Sequence, residues 1–491
     1  MNKGLLYGGV TVSLIAIITY FNLTNIANWW VAKKDAQKQQ EWVKNQGNDT
    51  LPYFKNQFIV TMPKDSTSAK LLKTRLNNLG IYQIHDCACS AGIGLWGTTD
   101  QNIDQVNVNA APEQGDPDDP ASLIQTRSLK IDTIEPRINF KGFNIVKNYK
   151  MVESTHSAKV LKPFKTALNR FPKFLATSPE VIVATIDSGV DTLVPGINPS
   201  LYRSNGVLTL CKPPTSEGVF GWNIMNPTNA PNQREPYDND EACYNLFSVR
   251  RGHGTLINGI IGGMGWYPGQ IDFTNTTNVN LKLLNTRYFD KRLDFYTEGS
   301  LFDVLCAINY AVEKKAKVIN CSWYIKHGDI TESAAKYAFR ETLIKVKNEN
   351  AILVASAGNQ GIKGNAGLKI WPAAFSRDIY VKDNVIAVGS WDTNGTGSIC
   401  VNSNEGDFID VYAPGEDIRM FNRSYGSWLA NWLLTFEKPD YGTSFAAPFV
   451  SREVAFLRGE MGNSALSSAI KTAFQTRTQA RLSVNVFTPA R

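Results

Sequence analysis

The chain has 491 residues, 43% hydrophobic, 11% aromatic and 19% charged, a balance that suits a globular protein with a large core and more than one folded unit. Fifty-one Lys and Arg against 44 Asp and Glu leave a net charge of +7, and no basic run concentrates it, which argues against a nucleic-acid partner. Seven cysteines, at 87, 89, 211, 243, 306, 321 and 400, show no paired C-x-x-C spacing, which argues against a zinc site.

The first element is apolar. Residues 4–21, GLLYGGVTVSLIAIITYF, carry no charge, over a length that serves either a signal-peptide core or a short membrane span. No good small-x-small cleavage site follows, and Trp29, Trp30, Lys33 and Lys34 read as an interfacial anchor. Residues 1–31 are therefore expected to be an N-terminal hydrophobic helix acting as signal anchor, or else a cleaved signal peptide. The rest of the chain is then membrane-anchored and extracytoplasmic, or secreted. Residues 32–56 are polar and Gln/Lys-rich, as a stalk would be.

A small α+β unit is predicted over 57–110. FIVTM (58–62) reads as a strand, SAKLLKTRLNNLG (68–80) as a helix closed by Gly80, and IYQIHDC (81–87) and IGLWGTT (93–99) as two more strands. Residues 111–175, beginning with the proline-rich PEQGDPDDP, read as a linker. Over 176–491 buried strands alternate with helices. VIVATI (181–186) is a β-branched run suited to a strand covered on both faces. SLFDVLCAINYAVEKKAKVINCS (300–322) is a helix and then a strand, with Ser300 and Asp303 at a plausible helix start. ESAAKYAFRETLIKVKNEN (332–350), AILVASA (351–357) and NVIAVGS (384–390) continue the pattern. Repeated β–α units specify an α/β, doubly wound parallel sheet. Among the cysteines, Cys211 and Cys243 flank a polar stretch open to bridging in an oxidising compartment, while Cys306 and Cys321 sit in apolar runs as free thiols that pack.

Ligands of such sheets sit beyond the carboxyl ends of the strands. Asp187 follows VIVATI there, and Asn359 follows ILVASA. His253 stands between two glycines in RGHGTLINGIIGG, and Ser444 stands at a helix start in YGTSFAAPFVS. Serine is a weak nucleophile until histidine accepts its proton, and a buried carboxylate fixes the histidine tautomer. A side-chain amide and a backbone N–H can hold the developing oxyanion. Pro448 is expected within about the first turn, where a missing N–H costs little.

DSGVD, GHGT, ASAGN and GTSFAAP, in this order, resemble the four signature blocks of the subtilisin-like (subtilase, S8) serine proteases, and the Asp…His…Ser order is the subtilisin one. The resemblance covers roughly residues 175–475. It implies that Asp187 orients, that His253 is general base and then acid, that Ser444 is the nucleophile, and that Asn359 lines the oxyanion hole. It further implies that Ser322, Trp323, Tyr324, Ala357 and Gly358 bind the polypeptide substrate. Catalysis would require no cofactor. Trp323 and Tyr324 replace smaller residues of the family pattern; Tyr324 either narrows the primary pocket toward small side chains or points to solvent. Phe449 replaces a histidine. The acidic residues Asp238, Asp240 and Glu241 make either a solvated loop or an unrecognised structural calcium site. The 57–110 unit has the element order of the family's propeptide, which implies an intramolecular inhibitor; a permanent accessory domain is the alternative. A silent pseudoprotease that serves as a binding module is the competing function.

Overall fold

The computed structural model describes the protein's secondary-structure elements between Tyr53 and Ala480 and the loops that touch the main sheet. Residues 1–52, 98–106, 110–127, 158–178, 203–219, 225–251, 264–278, 419–439, 481–491 and some shorter runs lie outside the described set. The apolar run 4–21, Cys211, Cys243 and the acidic trio at 238–241 therefore lie outside it. Among the described residues no helix is long and apolar enough to cross a membrane. Nor do they bring three or more His, Cys, Asp or Glu side chains together to hold a metal ion.

Seven strands form one sheet, in the order Gly221–Asn223, Asn280–Arg287, Glu180–Asp187, Val318–Cys321, Ile352–Ser356, Val385–Trp391 and Val411–Pro414. Every pairing is parallel. The β-branched runs predicted as buried strands serve two cores, because alternate side chains face opposite sides of a sheet. Val181, Val183, Ile352 and Val354 pack with helices His253–Ile261 and Thr443–Met461. Ala184, Ile186, Leu353 and Ala355 pack with helices Leu301–Glu313 and Ser333–Asn348. The chain leaves the Glu180–Asp187 strand toward both sheet edges, so the carboxyl end of that strand is a topological switch point.

The helix start predicted at Ser300 is a full capping box. Ser300 Oγ accepts from the Asp303 N–H at 3.2 Å, and Asp303 Oδ2 accepts from the Ser300 N–H at 3.0 Å. Burial pushes the Asp303 carboxyl up to about 6, against the lowering effect of the Ser300 hydrogen bonds. The strand Asn280–Arg287 was not foreseen. Leu281, Leu283 and Leu284 are buried in it, but Lys282, Asn285 and Thr286 break the apolar run that marks a central strand.

The N-terminal strands form a second, antiparallel sheet in the order Tyr82–Asp86, Ile93–Gly97, Tyr53–Thr61, Asn144–Tyr149, with helix Ser66–Asn78 burying Leu72 and Leu76. Its fourth strand comes from the stretch read as linker. Ile59, Cys87 and Leu95 join the same core cluster as Leu305 and Trp323, so this sheet shares its interior with the large one. A disulfide crosses the join. Cys87 bonds Cys306 over 219 residues of sequence, with Cα atoms 5.4 Å apart. This corrects the expectation that Cys306 is a free packed thiol; its apolar helix face meets the N-terminal sheet. Cys321 is a free, buried thiol, as expected, and burial followed by the nearby Asp187 charge pushes it well above the usual thiol range.

Candidate active site

Asp187 ends its strand fully buried. Its Oδ1 accepts from the Ser188 N–H at 2.8 Å and lies 2.8 Å from His253 Nδ1. A carboxylate can only accept, so Nδ1 carries the proton and Nε2 is the basic nitrogen of the neutral ring. His253 is the first residue of its helix, after Gly252. The next position must be glycine, since a Cβ on Gly254 would meet Gly189 O at 2.3 Å and Asp187 Oδ1 at 3.1 Å. The Gly254 N–H in turn donates to Ser188 Oγ at 2.8 Å. The Asp187 turn and the His253 helix start are thereby locked together.

Ser444 is the second residue of helix Thr443–Met461. Gly442 makes the entry at φ 142°, a conformation open to glycine. The Ser444 side chain is buried, and its Oγ has no hydrogen-bond partner among the described residues. The His253 ring stands edge-on to Phe445, the residue after it, with centroids 5.7 Å apart. Pro448 is the sixth residue of this helix, not part of its first turn. It therefore withholds the N–H that would bond the carbonyl of Ser444. The Ser322 hydroxyl supplies that bond instead, at 2.7 Å.

Asn359 follows strand Ile352–Ser356 and Gly358, whose φ is 90°. Its Oδ1 accepts from the Thr443 N–H at 2.8 Å and from Thr443 Oγ1 at 3.0 Å, while the Gly358 N–H donates to Thr443 Oγ1 at 3.1 Å. The N–H donor fixes the amide's orientation and turns its Nδ2 branch away from Thr443. Asn404 holds this loop from behind: its Nδ2 donates to Ala357 O at 2.7 Å, and its Oδ1 accepts from the Gln360 and Ile362 N–H groups. Sequence reading missed Ser188, Thr443 and Asn404. Ser188 and Thr443 carried one signal, adjacency to Asp187 and Ser444; Asn404 carried none.

The residues expected to bind substrate divide into two kinds. Trp323 is fully buried, donates from Nε1 to Ile186 O at 2.9 Å and meets Tyr288 edge-on, so its side chain belongs to the core. Ser322 is fully buried and props Ser444, and Ala357 is buried with its N–H on Val388 O. Tyr324 is only half-buried, and burial raises its phenol pKa against a lowering hydrogen bond from Gln360. What the Trp323–Ile325 edge offers is backbone. It pairs antiparallel with Met151–Glu153, in the register Trp323↔Glu153, Tyr324↔Val152 and Ile325↔Met151. The strand Asp440–Tyr441, just ahead of Gly442, pairs with His156–Ser157.

A parallel seven-stranded sheet with these pieces at its switch point has the subtilisin-like α/β fold of a class of serine proteases. Residues 178–485 match the Subtilase family, peptidase S8, and the chain belongs to that family. It is 31% identical over 215 residues to the thermophilic serine proteinase of Bacillus sp. (strain AK1), covering 43% of each chain. It is 29% identical over 275 residues to subtilisin-like protease 2 of Plasmodium falciparum, covering 55% of this chain and 16% of that one. Subtilisin DY of Bacillus licheniformis is 26% identical over 206 residues, 42% of this chain and 63% of that one. The matches thus span less than half the length of the first two relatives.

Proposed function

We propose that the protein is a serine endopeptidase that cleaves polypeptides through an acyl-enzyme. Asp187 holds the Nδ1–H of His253 and stabilises the imidazolium, His253 takes the Ser444 proton and later delivers it to the leaving amine, and Ser444 Oγ attacks the carbonyl carbon. The Ser444 N–H, at a helix N-terminus, and the Asn359 amide would receive the oxyanion. The single observation that carries this reading is the position of the His253 ring, 2.8 Å from Asp187 and edge-on to the residue after Ser444.

The N-terminal sheet serves as an intramolecular inhibitor, with Met151–Glu153 and His156–Ser157 taking strand positions that a substrate would take. The antiparallel pairing of Met151–Glu153 with Trp323–Ile325 supports this. An extracytoplasmic location, secreted or tethered through residues 4–21, fits the Cys87–Cys306 disulfide, since such bonds persist in oxidising compartments. A fluorophosphonate probe should label Ser444 in the protein freed of its N-terminal sheet, and Ser444→Ala should abolish the label. Labelling that survives Ser444→Ala would remove Ser444 from the role.

A further inference from the structure

We propose that Thr185 and Asn258 are positioning residues for His253. Their buried hydrogen bond fixes the register in which helix His253–Ile261 lies on strand Glu180–Asp187, and so keeps His253 Nδ1 on Asp187. Its consequence for reaction rate rests on the Ser444 reading above. The two elements otherwise meet through apolar side chains. Val181 and Val183 share one core with Ile257, Ile260 and Ile261, and apolar contact is non-directional, so it does not choose among neighbouring registers. Thr185 lies on the same strand face as Val181, Val183 and Asp187, because alternate residues share a face. Thr185 and Asn258 are both buried.

The Asn258 amide is engaged at both ends. Its Nδ2 donates to Gly254 O at 2.7 Å, and since a carbonyl can only accept, Oδ1 is the end that faces Thr185. The Thr185 hydroxyl donates to that Oδ1 at 3.2 Å. One side chain thereby joins the strand to the residue after His253. The spacings agree. Asp187 stands two residues beyond Thr185, about 6.6 Å of extended chain. His253 stands five residues before Asn258, about 7.5 Å of helix. Strand and helix run in opposite senses across these contacts, so the Thr185–Asn258 bond and the 2.8 Å Asp187–His253 contact close together in one register. A slip of the helix along the strand parts Thr185 from Asn258 in the same movement that carries His253 off Asp187. Any register that leaves the two buried groups unmatched pays their desolvation, which is how a polar pair inside an apolar interface selects one arrangement.

The test reads the downfield proton resonance of the hydrogen-bonded His253 Nδ1–H in the full chain at one fixed pH, assigned by its absence in His253→Gln, with thermal melting alongside. Thr185→Val and Asn258→Leu should each lower the melting temperature, because each strands one buried polar group. The double variant Thr185→Val/Asn258→Leu removes both groups at once, so its melting temperature should return toward that of the wild type. Its resonance should nevertheless stay shifted upfield or lost, as in Thr185→Val alone. Thr185→Ser, which keeps the hydroxyl, should keep the resonance, so the outcome does not hang on a variant that fails to fold. A double variant that melts like the wild type and keeps the wild-type resonance overturns the proposal, since the pair would then serve stability alone. Loss of the resonance in Thr185→Ser, or its absence from the wild type, overturns it too. Neither measurement needs an open groove or a reactive serine. Failure of the fluorophosphonate label would therefore remove the Ser444 reading while the resonance still decides the register.

Discussion

The hydroxyl of Ser322 donates a 2.7 Å hydrogen bond to the carbonyl of Ser444, and Pro448, four residues further on, has no N–H to take that place in the helix. The same hydroxyl accepts from Asn320 Nδ2 at 2.9 Å, and Asn320 Oδ1 accepts from Ser451 Oγ at 2.9 Å. Ser322→Ala thus leaves a buried acceptor and a buried donor unmatched, at a cost of about 1–3 kcal/mol for an unsatisfied group. Pro448→Ala restores a helical donor to the Ser444 carbonyl and should recover part of that loss. A double-mutant cycle by urea unfolding measures it, and additive effects would contradict the shared carbonyl.

Under the proposed oxyanion role, Asn359→Ala should lower kcat about 10²–10³-fold with little change in KM, because the amide would meet charge that exists only in the transition state. Steady-state kinetics on a peptide substrate with the N-terminal sheet removed provide the check. A rise in KM at constant kcat would mean that Asn359 binds substrate instead.

Gly254→Ala drives a methyl group against the Gly189 carbonyl and toward Asp187 Oδ1. The backbone must shift, with an overpacking cost of about 1–3 kcal/mol. His253 moves with its helix start, and a displacement near 1 Å is enough to cost about 10²-fold in rate. Thermal melting and kcat should fall together; a full-rate variant would show that the contact yields without moving His253.

Asp303 gives a pH dependence with a definite sign. Its carboxyl sits at about 6 in the folded chain, above the ordinary 3.8, so the native state holds the proton more tightly. Its contribution to stability is fully present below the ordinary value and is lost as pH rises through about 6. Relative to Asp303→Asn, the wild type should therefore lose stability between about pH 4 and pH 7. Urea denaturation across that range tests this, and a flat difference would contradict it.

The positions of the site residues were legible because they follow from local rules. Asp187 and Asn359 end buried β-branched runs at the sheet's carboxyl edge, and glycines flank His253 and precede Ser444 where backbone must come close. What stayed hidden depends on partners far away in sequence. Nothing near Ser322 announces that it must serve the carbonyl of a residue 122 positions later. The strands at 151–153 and 156–157 are too short to show a period and exist only through pairing with Trp323–Ile325 and Asp440–Tyr441. Cys306 looked like ordinary helix core because its partner lies in the other sheet, 219 residues away.

Under the proposal that the N-terminal sheet is an inhibitor, the Cys87–Cys306 bond would also set its concentration law. A free inhibitory fragment dissociates when the enzyme is diluted below the complex's Kd, so activity would rise simply on release into a large volume. A covalent link makes rebinding intramolecular, at an effective concentration on the order of millimolar for a short connection. Occupancy of the groove then no longer depends on how much protein is present, and dilution alone cannot switch such a molecule on.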